Sequence, residues 1–368
     1  MSTPPVPPTE SAVLDEVQSA WGLELQPAGC RTCRQAFLID PAQLGQPCPN
    51  CAHGILESQP VRLRAEPPEL LLPFQRQVSS LAPAVEKFVK EVWLRPADFT
   101  APNLLKRARP LWQPMWLVDS SLIGTWQAES GFDYQVKSSQ DYYSGSSWQS
   151  REVIETRVRW EPRLGQIQRR YHNIAAPATS DHAAREKILG SYSLEQARAY
   201  DAAMLGSSLI RVPDEPPESA WPAARAALDV KAGQECSQAG GAQHTRSLKL
   251  QVEYQDPHWT LLLLPMYASY YLDDEGRRRP VWIHGQSGQI NGVRLASQAA
   301  GWKWAAILGG IGLVLLILSL ILGAAGVALP PLAPIAVLLA VLAFLFGIAA
   351  IVPAVWPWQW NQRHKPKS

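Results

Sequence analysis

Four cysteines carry the clearest chemistry in the chain. Cys30-Arg-Thr-Cys33 and Cys48-Pro-Asn-Cys51 are two C-x2-C pairs with fourteen residues between them. Each pair closes into a tight knuckle whose backbone N–H groups can point at the thiolates. Four soft, deprotonated sulfurs at tetrahedral distances suit Zn²⁺. With every ligand position filled by Cys, such a site is structural. Two alternatives stay open: an iron centre on the same four thiolates, as in a rubredoxin-like knuckle, and disulfides, which a reducing cytosol disfavours. His53, two residues past the last cysteine, reads as surface of the knuckle and not as a fifth ligand.

The remaining reactive groups are scattered. Asp119, His172, His258 and His284 show no nucleophile–base or metal-ligand spacing, so the chain reads as a non-enzyme. Cys236 has no partner cysteine in its Gly/Gln/Ser-rich stretch and reads as an exposed, ordinary thiol. The basic run Lys106, Arg107, Arg109 reads as a solvated face. From Trp21 to Pro60 the only charges are Arg31 and Arg34 against Glu24, Asp40 and Glu57, too few cations to line a phosphate groove. Net charge is +2 over 368 residues, so no global field recruits nucleic acid or anionic lipid.

The elements that must position the cysteines predict an α+β fold. A Pro-rich lead and a short helix occupy 1–20, a zinc ribbon 21–57, and a linker with helices 58–110. A β-rich cytoplasmic domain follows over 111–301, with a helical insert at 175–240. Met115 to Trp126 reads as a strand ending in a turn at Ala128–Gly131, with Phe132 to Val136 returning. Ser138 to Ser150 reads as a mobile loop. Arg151 to Trp160 alternates apolar and charged residues, the mark of a sheet with one wet face. Leu164-Gly165 reads as a further turn. Leu194–Leu205 and Ala220–Val230 are expected helices; Ser247–Tyr254 and Trp259–Leu272 are expected strands, followed by turns at Asp273–Gly276 and Gly285–Gly288. Gln113-Pro-Met-Trp116 is echoed by Leu264-Pro-Met-Tyr267, a hint of two related β units, each a long strand followed by an acidic-Gly turn.

The last fifth organises everything before it. From Trp304 to Gln362 there is no Asp, Glu, Lys or Arg, and Leu329-Pro330-Pro331 splits the stretch in two. Each half is long enough to cross a hydrocarbon core of roughly 30 Å. This predicts a two-helix transmembrane hairpin over 302–360 and a basic cytoplasmic tail over 361–368. Arg294 and Lys303 precede the first span, and Arg363, His364, Lys365 and Lys367 follow the second. The positive-inside rule places both flanks, and so both termini, in the cytoplasm. Trp302, Trp304, Trp356, Trp358 and Trp360 gather at that same end, as indoles do at a headgroup boundary. Gly309, Gly310, Gly312, Gly323, Gly326 and Gly347 suit close helix approach. Met1 onward lacks the basic and apolar regions of a signal peptide, so the head is expected in the cytosol of a plasma-membrane, multi-pass protein.

The order of paired Cys knuckles, β-rich region and terminal membrane segment resembles bacterial membrane proteins described as TFIIB-type zinc-ribbon proteins. The Cys pairs, the Leu-Pro-Phe74 segment leading to Pro114-Met-Trp116, and Pro280-Val-Trp-Ile-His-Gly-Gln-Ser-Gly288 carry the likeness. In the last, His284 stands where that family's Asn-Gly-Gln-Thr-Gly pattern has Asn, and Ser287 where it has Thr. The resemblance implies a membrane recruiter working with phage-shock-type or flotillin-like proteins. Some relatives bear a primosomal-helicase label, but no G-x4-G-K-[ST] loop is present here to hold a nucleotide. The expected function is thus an adaptor holding structural Zn²⁺ at Cys30, Cys33, Cys48 and Cys51, bound to the bilayer and to protein partners. A membrane-tethered nucleic-acid binder and an enzyme with an unrecognised site are the alternatives.

Overall fold

The computed structural model describes residues 10–59, 67–327 and 329–364. The Pro-rich lead over 1–9, the centre of the connector (60–66), and Lys365 and Lys367 of the tail lie outside the described residues. The fold is α+β. Its helices are α1 (Glu10–Trp21), α2 (Ala82–Lys90), α3 (Ala101–Lys106), α4 (His182–Leu189), α5 (Pro217–Ala239), α6 (Gln298–Gly326) and α7 (Ala333–Arg363). Its strands are β1 (Gln26–Cys30), β2 (Ala36–Ile39), β3 (Leu56–Ser58), β4 (Leu70–Leu71), β5 (Arg109–Ser144), β6 (Ser147–Pro177), β7 (Arg198–Ala199), β8 (Leu209–Arg211), β9 (His244–Leu272), β10 (Arg278–His284) and β11 (Ile290–Gly292). The strands make one 11-stranded sheet in the order β11-β10-β9-β5-β8-β2-β1-β3, with β6 paired to β5 and β4 paired to β7 and β9.

The chain divides into two compact units, neither continuous in sequence. The first comprises Met1–Gln113, Ala183–Val212 and Leu263–Ser368, the second Pro114–His182 and Pro213–Leu262.

In the first unit the cysteine-bearing segment is woven into the sheet. β1 pairs antiparallel with β2 and β3, and β2 pairs onward with β8 through Phe37↔Arg211 and Leu38↔Ile210. β8 in turn runs parallel to the start of β5, with Leu111 opposite Leu209. Phe37, Ile39, Leu56, Leu111, Leu209 and Met266 close one apolar cluster with Cys30 and Cys48. A second cluster packs Val85, Phe88 and Val89 of α2 on Tyr267, Tyr271, Val281 and Ile283. α3 starts where Thr100 accepts a hydrogen bond from the Asn103 N–H at 3.4 Å, an N-cap with a proline in the first turn.

The second unit is an antiparallel ribbon with a helix laid on it. β5 and β6 pair from Met115↔Pro177 to Ser144↔Ser147. α5 buries Ala220, Ala224, Leu228, Ala232 and Cys236, a four-residue repeat whose small side chains let the helix settle against Trp116, Leu122, Trp126, Ile167 and Ile174. The Trp116 indole N–H reaches the Glu215 carbonyl at 2.8 Å.

Several expectations are corrected here. No turn interrupts β5 at Ala128–Gly131 or β6 at Leu164-Gly165. These glycines sit inside strands because neighbouring side chains occupy their side-chain space: a Cβ on Gly165 would meet the Trp126 indole at 2.5 Å, and one on Gly131 would meet Val158 Cγ1 at 2.7 Å. Ser138–Ser150 is the end of the same ladder. The chain reverses at Gly145-Ser146, with Gly145 at φ +69°, a conformation glycine adopts without steric cost. The two strands expected over 247–272 are one, with Asp256 at φ +50° marking an irregularity between them. Leu194–Leu205 is not a helix but two 3-10 turns, Leu194–Gln196 and Ala202–Met204, flanking β7. Cys236 is 2% exposed in the core of the second unit, not a surface thiol. Of the echoed segments, both lie within strands, and an acidic-Gly turn follows only β9, at Asp273–Gly276.

α6 and α7 are long and apolar enough to span a membrane, and only 11% of each apolar window is buried, unlike the core helix of a soluble protein. Their mutual contact uses part of the glycine set. Gly312 packs on the Ala343 carbonyl and Gly326 on Ala333, while Gly309, Gly310 and Gly347 face open space. Ser319 Oγ donates to the Ala336 carbonyl at 2.8 Å, which satisfies a hydroxyl between two apolar helices. Pro357 has no N–H to offer the Pro353 carbonyl, and Gly301 packs against that oxygen. At its base α7 is tied to the segment that leads into α6, within the first unit: Asn361 exchanges two hydrogen bonds with the Ala296 backbone at 2.8 and 3.0 Å, and Trp360 donates to the Arg294 carbonyl. Trp302, Trp304 and Trp358 are exposed, whereas Trp356 and Trp360 pack on the α2 cluster.

Candidate metal centre

The two knuckles are built alike. β1 ends at Cys30, and the Arg34 N–H returns to the Cys30 carbonyl at 2.7 Å. In the second knuckle the Ala52 N–H returns to the Cys48 carbonyl at 2.9 Å. In each, the residue after the second cysteine takes the left-handed conformation: Arg34 at φ +60° and Ala52 at φ +61°. That turn is strained for a residue with a Cβ and brings both sulfurs of a pair to one side. Gly54 lies over the site; a Cβ there would strike Cys30 Sγ and Thr32 Oγ1, so only glycine fits.

All four cysteines are free thiols, and their sulfurs lie within 4.8 Å of one another. Cys30 and Cys51 are 3.7 Å apart, and Cys33 and Cys48 are 3.6 Å apart. A tetrahedral ion with metal–sulfur bonds of about 2.3 Å needs sulfur–sulfur edges of about 3.8 Å, so the donor set fits a metal ion. The geometry rules out neither zinc nor iron. It does correct the disulfide alternative, since the sulfurs form a four-cornered cluster of free thiols.

The electrostatics favour the thiolate at Cys33 and oppose it at Cys48 and Cys51. Hydrogen bonds from Cys48 and Cys51 hold the Cys33 thiol far below its ordinary value. Its donors resist in turn: Cys48 is pushed far up by its hydrogen bond to Cys33, and Cys51 is raised to about 11 for the same reason. Backbone N–H groups of Gln35, Cys51 and Gly54 aim at Cys33, Cys48 and Cys51 and favour the anions. A metal held by Cys30, Cys33, Cys48 and Cys51 would displace the protons these sulfurs otherwise share.

Side chains from distant parts of the first unit clasp the second knuckle. Arg109, at the start of β5, donates to the Pro47 carbonyl. Arg185 of α4 donates to Asn50 Oδ1 and stacks 4.9 Å over the Trp282 ring. The Trp282 indole N–H reaches the Pro49 carbonyl at 3.3 Å. None of the three was legible beforehand. Arg109 belongs to the basic run expected to be solvated, yet its Nη1 is out of solvent; burial lowers its pKa, and the charges of Tyr270 and Cys48 act against that shift. Its neighbour Arg107 is bound to Asp98 at 3.0 Å, with both side chains about three-quarters covered. Only Lys106 of the run is exposed.

The other candidates separate. His53 is exposed and its Nδ1–H donates to the Cys51 carbonyl at 2.6 Å, outside the sulfur cluster. His284 is buried; its Nδ1 accepts the Gln286 and Ser287 N–H groups at 3.1 and 3.2 Å, and its ring stacks on Tyr192. Burial lowers its pKa, so it is a neutral turn-former. Asp119 and His172 do meet, at 2.9 Å. They sit at a β-bulge between Val118 and Ser120, where the second Asp119 oxygen accepts the N–H of Asn173, a residue at φ +54°. His258 is close enough for its charge to act on Asp119. Among the described residues no hydroxyl or thiol hydrogen-bonds to His172; the bonds observed are those that hold the bulge.

No protein-family model matches the chain, and no curated protein or solved structure gives a significant match to it.

Proposed function

We propose that this chain is a membrane-anchored adaptor: α6 and α7 fix it in a bilayer, and a head stapled by structural zinc presents its surfaces to cytoplasmic or membrane protein partners. The observation that carries this reading is the apolar helix pair, 11% buried per span and tied through Trp360 and Asn361 to a unit holding a four-sulfur cluster. The flanking cations Arg294, Lys303 and Arg363 argue for a cytoplasmic head and both termini inside, at a bacterial plasma membrane. Zinc suits the cluster because four filled sulfur positions serve shape and not turnover. The resemblance to TFIIB-type zinc-ribbon membrane proteins supports phage-shock-type or flotillin-like partners, and we place no catalytic step in the chain. The sparse positive charge of residues 21–60 argues against nucleic acid as the ligand.

The test is a pull-down from native membranes with intact protein and with Cys30→Ser/Cys33→Ser. Specific partners are expected with the intact protein and lost with the variant. Isolation as a lone monomer from gentle lysates overturns the adaptor. A head cleaved by protease added outside intact cells overturns its placement.

A further inference from the structure

A divalent ion ringed by four thiolates carries two net negative charges, and burying such a charge without a counter-ion is costly. Two of the four candidate cations near the knuckles are in solvent: Arg31 is 82% exposed and paired with Glu57, and Arg34 is exposed. Arg185 is buried but directs its guanidinium to the Asn50 amide and the Trp282 ring. Arg109 is set apart by where it bonds: its guanidinium donates to the Pro47 carbonyl, the backbone next to Cys48, and the charges of Tyr270 and Cys48 act on it. Among the described residues its Nη1 is out of solvent with no hydrogen-bond partner. A half-buried guanidinium with Nη1 so placed is poorly compensated while the cluster is four neutral thiols, and gains a counter-charge when the cluster is anionic.

We infer that Arg109 is the positioning counter-ion of the metal centre, a residue that favours the metal-loaded tetrathiolate over the metal-free thiols and links loading of the knuckles to the start of β5. The inference rests on the metal-centre reading and adds an asymmetry to it. A purely structural Arg109, holding Pro47, would stabilise loaded and metal-free protein alike. A counter-ion stabilises the loaded form and burdens the empty one.

The experiment uses the full chain in detergent, with Co²⁺ and Zn²⁺ as probes, comparing wild type, Arg109→Met and Arg109→Lys. Metal affinity, read by competition with a chromophoric chelator, is expected to fall about 10- to 100-fold in Arg109→Met. The thiolate-to-cobalt charge-transfer bands should persist, since all four ligands remain. Arg109→Lys should recover most of the affinity. The gap between the thermal midpoints of loaded and chelated protein should narrow in Arg109→Met. Unchanged affinity in Arg109→Met, or an equal fall of both midpoints, overturns the counter-ion role while leaving the metal centre intact. Wild-type protein that takes up neither metal overturns the metal centre and the inference together.

Discussion

The cysteine knuckles and the α5-covered ribbon reach order by different physics. Around the knuckles, short strands of three to five residues, with Leu111 of β5 and Met266 of β9, surround a cluster that includes the candidate ligands. Three side chains clasp backbone and amide oxygens over residues 47–50. In the second unit, strands of 36, 31 and 29 residues supply the ladder, wholly or in part, and α5 closes it with a dry stripe of alanines, Leu228 and Cys236. One region gets its order from a few strong, specific bonds, the other from many weak apolar contacts. The same chemical type, cysteine, is a candidate ligand in the first and a small apolar filler in the second.

That contrast can be broken most forcefully at the sulfurs. Chelation, or Cys30→Ser with Cys33→Ser, removes a metal contribution of about 10 kcal/mol or more. Amide exchange should accelerate across 26–58 and stay slow in α5. Uniform acceleration through both units would erase the distinction. Leu228→Ala tests the other side: Leu228 is fully buried, and the truncation should cost about 2–5 kcal/mol in the second unit. Metal affinity should not change.

Gly54→Ala sharpens the picture at the knuckle. The added methyl collides with Cys30 Sγ and Thr32 Oγ1, so a loss of about 1–3 kcal/mol is expected, accompanied by weaker Co²⁺ binding in a chelator competition. The smallest effect concerns Asp119. Burial raises its pKa, but hydrogen bonds from Asn173 and His172 outweigh that and hold it below the ordinary carboxylate range. Its stabilisation is therefore complete above the unfolded pKa of about 4 and is lost as pH falls through the lower folded value. Asp119→Asn should flatten the acid limb of denaturant stability below about pH 4 and leave the neutral plateau slightly lowered.

Much of this was readable residue by residue. The C-x2-C spacing put four sulfurs in reach of one ion, because a two-residue gap closes a knuckle wherever it occurs. Fifty-nine residues without a formal charge, 304–362, marked the apolar helices, because length and composition alone set what a bilayer can hold. Local signals misled at Gly131 and Gly165, where Val158 and Trp126 fill the side-chain space and glycine is needed inside a strand.

The sequence by itself determined the donor set and the apolar helix pair, since each depends only on near neighbours along the chain. The alternation over Arg151–Trp160 did not mark a dry face, because both faces of that part of β6 are in solvent and Ile154 is 64% exposed. Only the tertiary structure decided that the knuckles join the main sheet through β2 and β8, that Cys236 is core, and that Arg109 turns inward to Pro47. Those outcomes depend on which surfaces meet across tens to hundreds of residues. A guanidinium's place between solvent and a sulfur cluster is set by what packs over it, which no local pattern records.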